Sequence, residues 1–128
     1  MGIFSRSRQE PVDLENRAPQ TGVKYKDVLV LNQLRLAGAD LATPRHVLYY
    51  LYFNDRVTAE RAASGATASA FATRVREPIP EDPDNWGVVC ERKSYVLSMD
   101  IVRDNTDYFE ALAAKFGGIY DGWEASTD

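Results

Sequence analysis

The sequence predicts an α+β fold of the ferredoxin-like type, a split βαβ sandwich with one extra helix at its N-terminus. The first observation is a run of aromatic and apolar residues at 46–53, which is typical of a central strand. The second is helical spacing at about 55–70 and again at about 98–116, each followed by a short strand pattern. The order after the first helix is therefore β-α-β-β-α-β, an antiparallel four-stranded sheet with both helices on one face.

The N-terminal residues divide into a tail and a helix. Residues 1–23 have prolines, arginines and little apolar periodicity, so they are predicted to be a flexible tail. Apolar residues at three-residue spacing, followed by the stop signal Gly38, predict a short amphipathic helix from Lys24 to Ala37. Residues 24–126 are accordingly assigned to one domain.

The strand at 46–53 has apolar residues at both even and odd positions, so we expect both of its faces to be covered or nearly so. Two coverings of the face turned away from the helices stay open. One is the N-terminal helix, and the other is pairing with a second chain in a homodimer. The residues concerned are Tyr49, Leu51 and Phe53 on one strand face, Leu48, Tyr50 and Tyr52 on the other, and Val28, Leu31 and Leu34 on the helix.

Asn54 or Asp55 is expected to cap the second helix, which runs to about Ala70. A strand follows at 71–76, and prolines then mark an acidic loop at 78–84 because proline cannot continue a sheet ladder. The next strand is Trp86 to Arg92, with an extension to Leu97 left open. Predicted inward side chains are Val57, Ala59, Ala62, Ala63 and Ala66 on the helix and Phe71, Thr73 and Val75 on the strand, with Arg74 and Arg76 outward.

The last helix is expected to open at Ser98 or Asp100 and to end at the glycine pair 117–118. Residues 119–125 then form the final strand, at or near the edge of the sheet. Gly122 in this strand permits a bulge or a close backbone approach, while Trp123 packs to one side. The predicted apolar face of the helix consists of Ile101, Tyr108, Phe109, Leu112 and Phe116.

Composition bounds the class of protein. The chain has 128 residues and 45% hydrophobic content, enough for one domain with its own core. It contains no apolar run long enough to span a membrane, and its first eight residues lack the apolar run of a secretory signal, so we expect a cytoplasmic protein. Its one cysteine, Cys90, lies in an apolar setting that is typical of a buried thiol in a reducing compartment.

Charge is distributed unevenly along the chain. The net charge is −4, but the residues through Arg76 carry eleven basic and seven acidic side chains, while those from Glu77 onward carry four and twelve. An acidic surface repels phosphate backbones and attracts basic polypeptide segments. Nucleic acid is therefore a disfavoured direct partner, and a basic protein segment is a favoured one; solubility alone is the alternative explanation.

No pattern in the chain predicts catalysis. The single histidine, His46, has no metal-site partner at a typical spacing, and neither a G-x-S-x-G elbow nor a glycine-rich phosphate loop is present. The carboxylate pairs Asp82 with Asp84 and Asp104 with Asp107 are candidates for general acid and base, although loop and helix-start solvation explains both. We therefore predict a non-enzyme with no catalytic residue, cofactor or metal ligand.

The segment Leu112-Ala113-Ala114-Lys115-Phe116-Gly117-Gly118-Ile119-Tyr120-Asp121-Gly122-Trp123 resembles the end of the RraB family, the regulators of ribonuclease E activity. In that family a helix ending Leu-Ala-x-Lys/Glu-Phe-Gly leads into Tyr-Asp-Gly-Trp. Upstream, residues 38–40 resemble the Gly-x-Asp turn of the family, and order and spacing agree over residues 34–125. The chain departs from the family at Leu48-Tyr49, where Glu-His is common, in its acidic insert, and at Ala70, where glycine is usual.

The resemblance implies a non-catalytic regulator that binds ribonuclease E, an RNA-decay endonuclease with an arginine-rich scaffold region. The alternative is a single-stranded RNA-binding module, or another interaction module, that uses Tyr50, Tyr52 or Trp123; the RNP pattern is absent and the charge is unfavourable. A small hydrolase with paired carboxylates is the third hypothesis. The residues expected to bind the partner are Glu81, Asp82, Asp84, Asp121, Trp123 and Glu124.

Overall fold

The computed structural model describes residues 13–127, which form three helices and four strands. They are α1 (Tyr25–Leu36), β1 (Arg45–Phe53), α2 (Arg56–Ala68), β2 (Ala72–Arg76), β3 (Trp86–Tyr95), α3 (Met99–Lys115) and β4 (Ile119–Ala125). The strands make one antiparallel sheet in the order β2-β3-β1-β4, so β1 is central and β4 is an edge. This order confirms the predicted α+β, ferredoxin-like class.

Residues on the N-terminal side of the predicted boundary at Lys24 also contact the domain. Residues 1–12 of the predicted tail lie outside the described residues. Residues 13–23 contact the rest of the domain: Arg17 pairs through its backbone with Lys24, and its guanidinium lies 2.6 Å from the Asp107 carboxylate on α3. Val23 is completely buried. This segment therefore belongs to the packed structure.

Side-chain caps fix the starts of two helices. The Asp55 carboxylate accepts a hydrogen bond from the Thr58 N–H at 2.8 Å, and the Ser98 hydroxyl accepts one from the Ile101 N–H at 3.1 Å. Each bond satisfies a backbone donor that has no partner within the helix. Of the caps predicted as alternatives, Asp55 and Ser98 are thus the ones used.

The core lies between the sheet and the two long helices. Burial alternates along β1, and the buried Tyr49 ring stacks on Phe109 of α3 with ring centroids 4.6 Å apart. On α2 the predicted alanines are buried, so the helix approaches the sheet closely. Val57 was predicted to face inward but is 58% exposed. Two residues correspond to about 200° around a helix, so Val57 cannot share a face with Ala59.

The inward stripe of α3 is displaced from the predicted one. Phe109 and Leu112 are buried as predicted, whereas the other three predicted residues are half-buried. Val102, Thr106 and Ala113 complete the buried stripe. With 17 residues α3 is the longest described helix, and no helix within residues 13–127 is long and apolar enough to cross a membrane.

Helix α1 packs on the helical side of the sheet. The Asp27 carboxylate accepts hydrogen bonds from the Thr106 hydroxyl of α3 at 2.7 Å and from the Trp123 indole of β4 at 2.9 Å. Trp123 is paired in register with Tyr49, so both side chains point toward the helices. The hypothesis that α1 covers the opposite face of the sheet is therefore wrong. That face of β1 is half-buried, not covered as expected.

Candidate functional site: the open face of the sheet

The sheet face turned away from the helices, here called the open face, is built from three rows of residues that run across the four strands. On β1 its members alternate with the buried core residues and are themselves half-buried. Within residues 13–127 no helix lies over them. From β2 to β4 the rows are Ala72-Glu91-Leu48-Glu124, Arg74-Val89-Tyr50-Gly122 and Arg76-Gly87-Tyr52-Ile119.

The centre of the open face is aromatic. Tyr50 donates its hydroxyl proton to a carboxylate oxygen of Glu124 at 2.5 Å, which ties the middle of the sheet to its edge. Burial, reinforced by the hydrogen bond to Glu124, raises the pKa of Tyr50 to about 12. The hydroxyl therefore remains protonated at neutral pH, and the ring is held in a fixed orientation.

Charge differs between the two edges of this face. Arg74 and Arg76 project from β2 and are exposed, whereas Glu124 projects from β4 at the other edge. Between them Glu91 contacts the imidazole of His46 through Nε2. The open face thus carries a basic edge, an aromatic centre and an acidic edge. Such a surface favours partners that combine charge with apolar or planar groups.

In the structure the acidic loop spans residues 77–85, one residue more at each end than predicted, and it folds back toward the open face. Two successive turns shape it: the Asp82 N–H donates to the Ile79 carbonyl at 3.0 Å, and the Asn85 N–H donates to the Asp82 carbonyl at 3.1 Å. Prolines at 78, 80 and 83 restrict its backbone further. Loop and sheet together enclose a groove of about 190 Å³, here called the loop groove, which Tyr50, Tyr52 and Asp82 help to line.

The predicted partner-binding residues do not all lie on one surface. Asp82 lines the loop groove beside Tyr50, and Tyr50 in turn bonds Glu124, so these two acidic residues flank the same face. Glu81 and Asp84 are exposed on the acidic loop. The structure thus brings the loop and the end of β4 to opposite sides of the aromatic centre.

Of the two alternatives predicted for Gly122, a bulge or a close backbone approach, the final strand has the bulge. The register of β4 against β1 shifts between Gly122 and Tyr120, which leaves Asp121 as the additional residue, and Gly122 has a φ of 115°. This positive φ is why glycine is required there. Asp121 is exposed on the edge strand, whereas Trp123 is only 9% exposed and faces the core. Trp123 is therefore separated from the five carboxylates predicted beside it.

The loop groove and the basic edge were not predicted as parts of a site. Alternation identified Arg74 and Arg76 as outward residues, but only strand register shows which residues lie beside them. Gly87 leaves a gap in one row, and Glu77 and Ile79 reach the groove through the loop conformation. The signals available in the sequence were the three prolines and the glycine directly after Trp86.

Burial or ion pairing accounts for three of the candidate reactive groups, Cys90, Asp104 and Asp107. Burial raises the pKa of the Cys90 thiol to about 12, so the thiolate nucleophile is scarce at neutral pH. Asp104 pairs with Arg103 at 2.9 Å, and Asp107 pairs with Arg17 at 2.6 Å. Among residues 13–127 no three potential metal-ligating side chains are grouped together. The chemistry that the open face supports is ion pairing, hydrogen bonding and stacking.

Most of the chain matches one known protein family. Residues 26–125 match the family model described as Regulator of ribonuclease activity B. The match covers all four strands, α2, α3 and nearly all of α1, and it extends the resemblance found in the sequence to positions upstream of Leu34. No curated protein matches the chain at a significant level.

Proposed function

Because the chain belongs to the Regulator of ribonuclease activity B (RraB) family, we propose that it is a non-catalytic regulator that binds an RNA-processing ribonuclease, with ribonuclease E as the expected partner. The family assignment supports a role in regulating ribonuclease activity. The proposed contact is an acidic surface, defined as Glu81, Asp82 and Asp84 of the acidic loop with Asp121 and Glu124 of β4.

The observation that carries this proposal is the placement of Asp82 and Glu124 on both sides of Tyr50 on the open face. All five carboxylates of the acidic surface are exposed. A basic segment that crosses the face meets carboxylates on both sides of an aromatic centre. Exposed charges of this kind mainly accelerate encounter and select the partner, and their effect falls as salt screens them.

The shape of the acidic loop supports the same function. Its two turns and three prolines hold the carboxylates near one conformation before a partner arrives. Binding then costs less conformational entropy than it would for a flexible acidic segment. The loop is therefore suited to recognising a flexible basic chain, which itself becomes ordered on binding.

Retention of ribonuclease E by the immobilised full-length protein tests this function. Extract is passed over the protein at low and at high salt, with and without prior ribonuclease treatment, and bound ribonuclease E is quantified. We expect retention that falls with salt but survives RNA removal, and we expect the purified protein to lower cleavage of a labelled RNA by purified ribonuclease E. Binding that disappears on RNA removal, or unchanged cleavage at saturating protein, would exclude direct regulation.

A single-stranded RNA-binding module is the second candidate, because Arg74 and Arg76 share the open face with Tyr50 and Tyr52. Bases can stack on tyrosines of an open sheet while cations contact phosphate. Trp123 cannot contribute to such stacking because it is buried. Retention of a labelled single-stranded RNA at moderate salt would favour this candidate; the carboxylates on the same face favour the protein partner.

A further inference from the structure

The floor of the loop groove lies at Gly87, which has no side chain to fill the space above it. In the row Arg76-Gly87-Tyr52, glycine stands between a cation and an aromatic ring on adjacent strands. A Cβ added at Gly87 would lie 3.5 Å from the Tyr52 ring and 3.5 Å from the Arg76 Cβ. The gap is therefore bounded on both sides by the neighbouring strands, and any side chain larger than a methyl group at this position would extend into the groove.

The acidic loop supplies the outer wall of the groove. Two acidic residues, Glu77 and Asp82, and two apolar residues, Pro78 and Ile79, line it there. Within residues 13–127 neither carboxylate lies in an ion pair with a basic side chain. Ile79 is 61% exposed, so its apolar side chain is accessible to a ligand. The groove therefore combines free negative charge, apolar surface and the face of an aromatic ring.

We propose that the loop groove binds the arginine side chain of a basic peptide segment. The identity of the protein that carries this segment rests on the proposed function. A guanidinium group is planar, so it stacks on a tyrosine ring while its N–H groups donate to carboxylates. Here Tyr52 offers the ring, and Glu77 and Asp82 offer the acceptors. The methylene groups of the arginine pack against Ile79 and Pro78.

Arginine suits this groove better than lysine or a phosphate group. A lysine ammonium is compact and strongly hydrated, and it does not stack as a planar group. A phosphate would be attracted by Arg76 but repelled by the two carboxylates. Arg76 opposes a second cation in the groove, so its removal is expected to strengthen arginine binding and to weaken phosphate binding. The sign of this effect separates the two ligand classes.

The test is an NMR titration of the full-length, ¹⁵N-labelled protein with three blocked octapeptides. Each alternates glycine with arginine, lysine or glutamine. We expect the arginine peptide to shift the amide resonances of Gly87, Tyr52 and Asp82 first, the lysine peptide to bind several-fold more weakly, and the glutamine peptide not to bind. Asp82→Asn is expected to weaken binding of the arginine peptide about two- to fivefold, and Arg76→Ala is expected to strengthen that binding about twofold.

Filling the groove tests its shape without changing its charge. Gly87→Val places a β-branched side chain where a strand accepts it, and it is expected to weaken the arginine peptide at least about tenfold. The exposed positions Asp82 and Arg76 keep the test valid if the valine variant does not fold. If the arginine peptide shifts only resonances of β4, the proposal that the loop groove binds arginine is overturned, while the proposal of a basic partner remains supported.

Two further outcomes would also overturn the groove proposal. One is equal binding of the arginine and lysine peptides, since stacking would then have no role. The other is weaker arginine binding by Arg76→Ala together with retention of single-stranded RNA, which would assign the groove to phosphate. Retention of ribonuclease E without any peptide binding would separate the proposed function from this site and would leave only the former.

Discussion

The indole N–H of Trp123 donates to the Asp27 carboxylate at 2.9 Å and so joins the edge strand β4 to helix α1 across 96 positions of sequence. The Thr106 hydroxyl donates to the other carboxylate oxygen at 2.7 Å. Asp27 is only 2% exposed, so these donors replace water at a buried charge. This arrangement fastens α1 to the helical side and leaves the open face accessible.

Replacing Asp27 by alanine should lower the free energy of unfolding by about 2–4 kcal/mol, because two buried donors would lose their acceptor. Urea denaturation at neutral pH measures the change. Glu60→Ala is the control, since Glu60 is exposed on α2 and its loss should cost no more than about 0.5 kcal/mol. A loss at Asp27 no larger than that of the control would contradict a stabilising role for the contact with Trp123.

Alanine substitutions at the two glycines after α3 should lower the free energy of unfolding by different amounts. Gly117 has a φ of 70° with open space around it, so Gly117→Ala should cost about 1–2 kcal/mol through backbone strain alone. At Gly118 an added Cβ would overlap the Phe53 ring and the Tyr52 carbonyl oxygen, and the backbone atom cannot rotate away. Gly118→Ala should therefore cost at least about 3 kcal/mol. Thermal unfolding compares the two, and equal losses would refute the steric argument.

Much of the framework could be predicted from the sequence because each element has a local signal. β1 alternates inward and outward residues, and β4 has the predicted bounds and one of the two features predicted for its glycine, the bulge. Asp55 and Ser98 are polar residues directly before apolar helical patterns, and both are caps. In each case the physical cause lies within a few residues of the element itself.

The features that could not be predicted depend on partners distant in sequence. Asp27 looks like an ordinary solvent-facing helix residue, and only its contacts with residues 79 and 96 positions away explain its burial. Those same contacts help to hold α1 on the helical side of the sheet. The loop groove likewise depends on strand register and on two turns that bring Asp82 toward Tyr50. No periodicity in a single segment contains that information.

An ion cluster around the buried Lys24 predicts how stability varies with pH. Lys24 is 7% exposed and lies between Glu110 and Glu15. Burial alone would lower its pKa, but the two carboxylates outweigh burial and the pKa is raised above 10.5. Hydrogen bonds from Lys24 and then from Lys26 lower the pKa of Glu15 from its usual 4.5 to about 2. The folded state therefore favours the charged form of both groups.

Glu15→Gln should remove a contribution that is present above pH 4.5 and lost as pH falls toward 2, because the folded pKa of Glu15 lies below the unfolded one. The Lys24 contribution is present below pH 10.5 and is lost as pH rises through its raised pKa. Glu15 is 58% exposed, so its part should stay below about 1 kcal/mol. Urea denaturation between pH 7 and pH 2.5 measures the difference in free energy of unfolding between the unchanged protein and Glu15→Gln. A difference that stays constant over this range would be inconsistent with the ion cluster.

The three carboxylates of the acidic loop are expected to control affinity for the partner. Changing Glu81, Asp82 and Asp84 together to alanine should weaken retention of ribonuclease E and flatten its dependence on salt, because three charges that attract a basic segment are removed. These side chains are exposed, so the unfolding temperature should hardly change.

A control of equal charge removes three exposed carboxylates from the helical side of the domain, namely Glu60, Asp100 and Asp104, each of which pairs with an arginine on its own helix. It changes the net charge by the same amount, so long-range attraction falls equally in both variants. Binding isotherms at several salt concentrations then separate local contact from overall charge. If both triple variants lose affinity alike, net charge alone explains binding; if the loop variant alone is weakened, the contact lies at the open face.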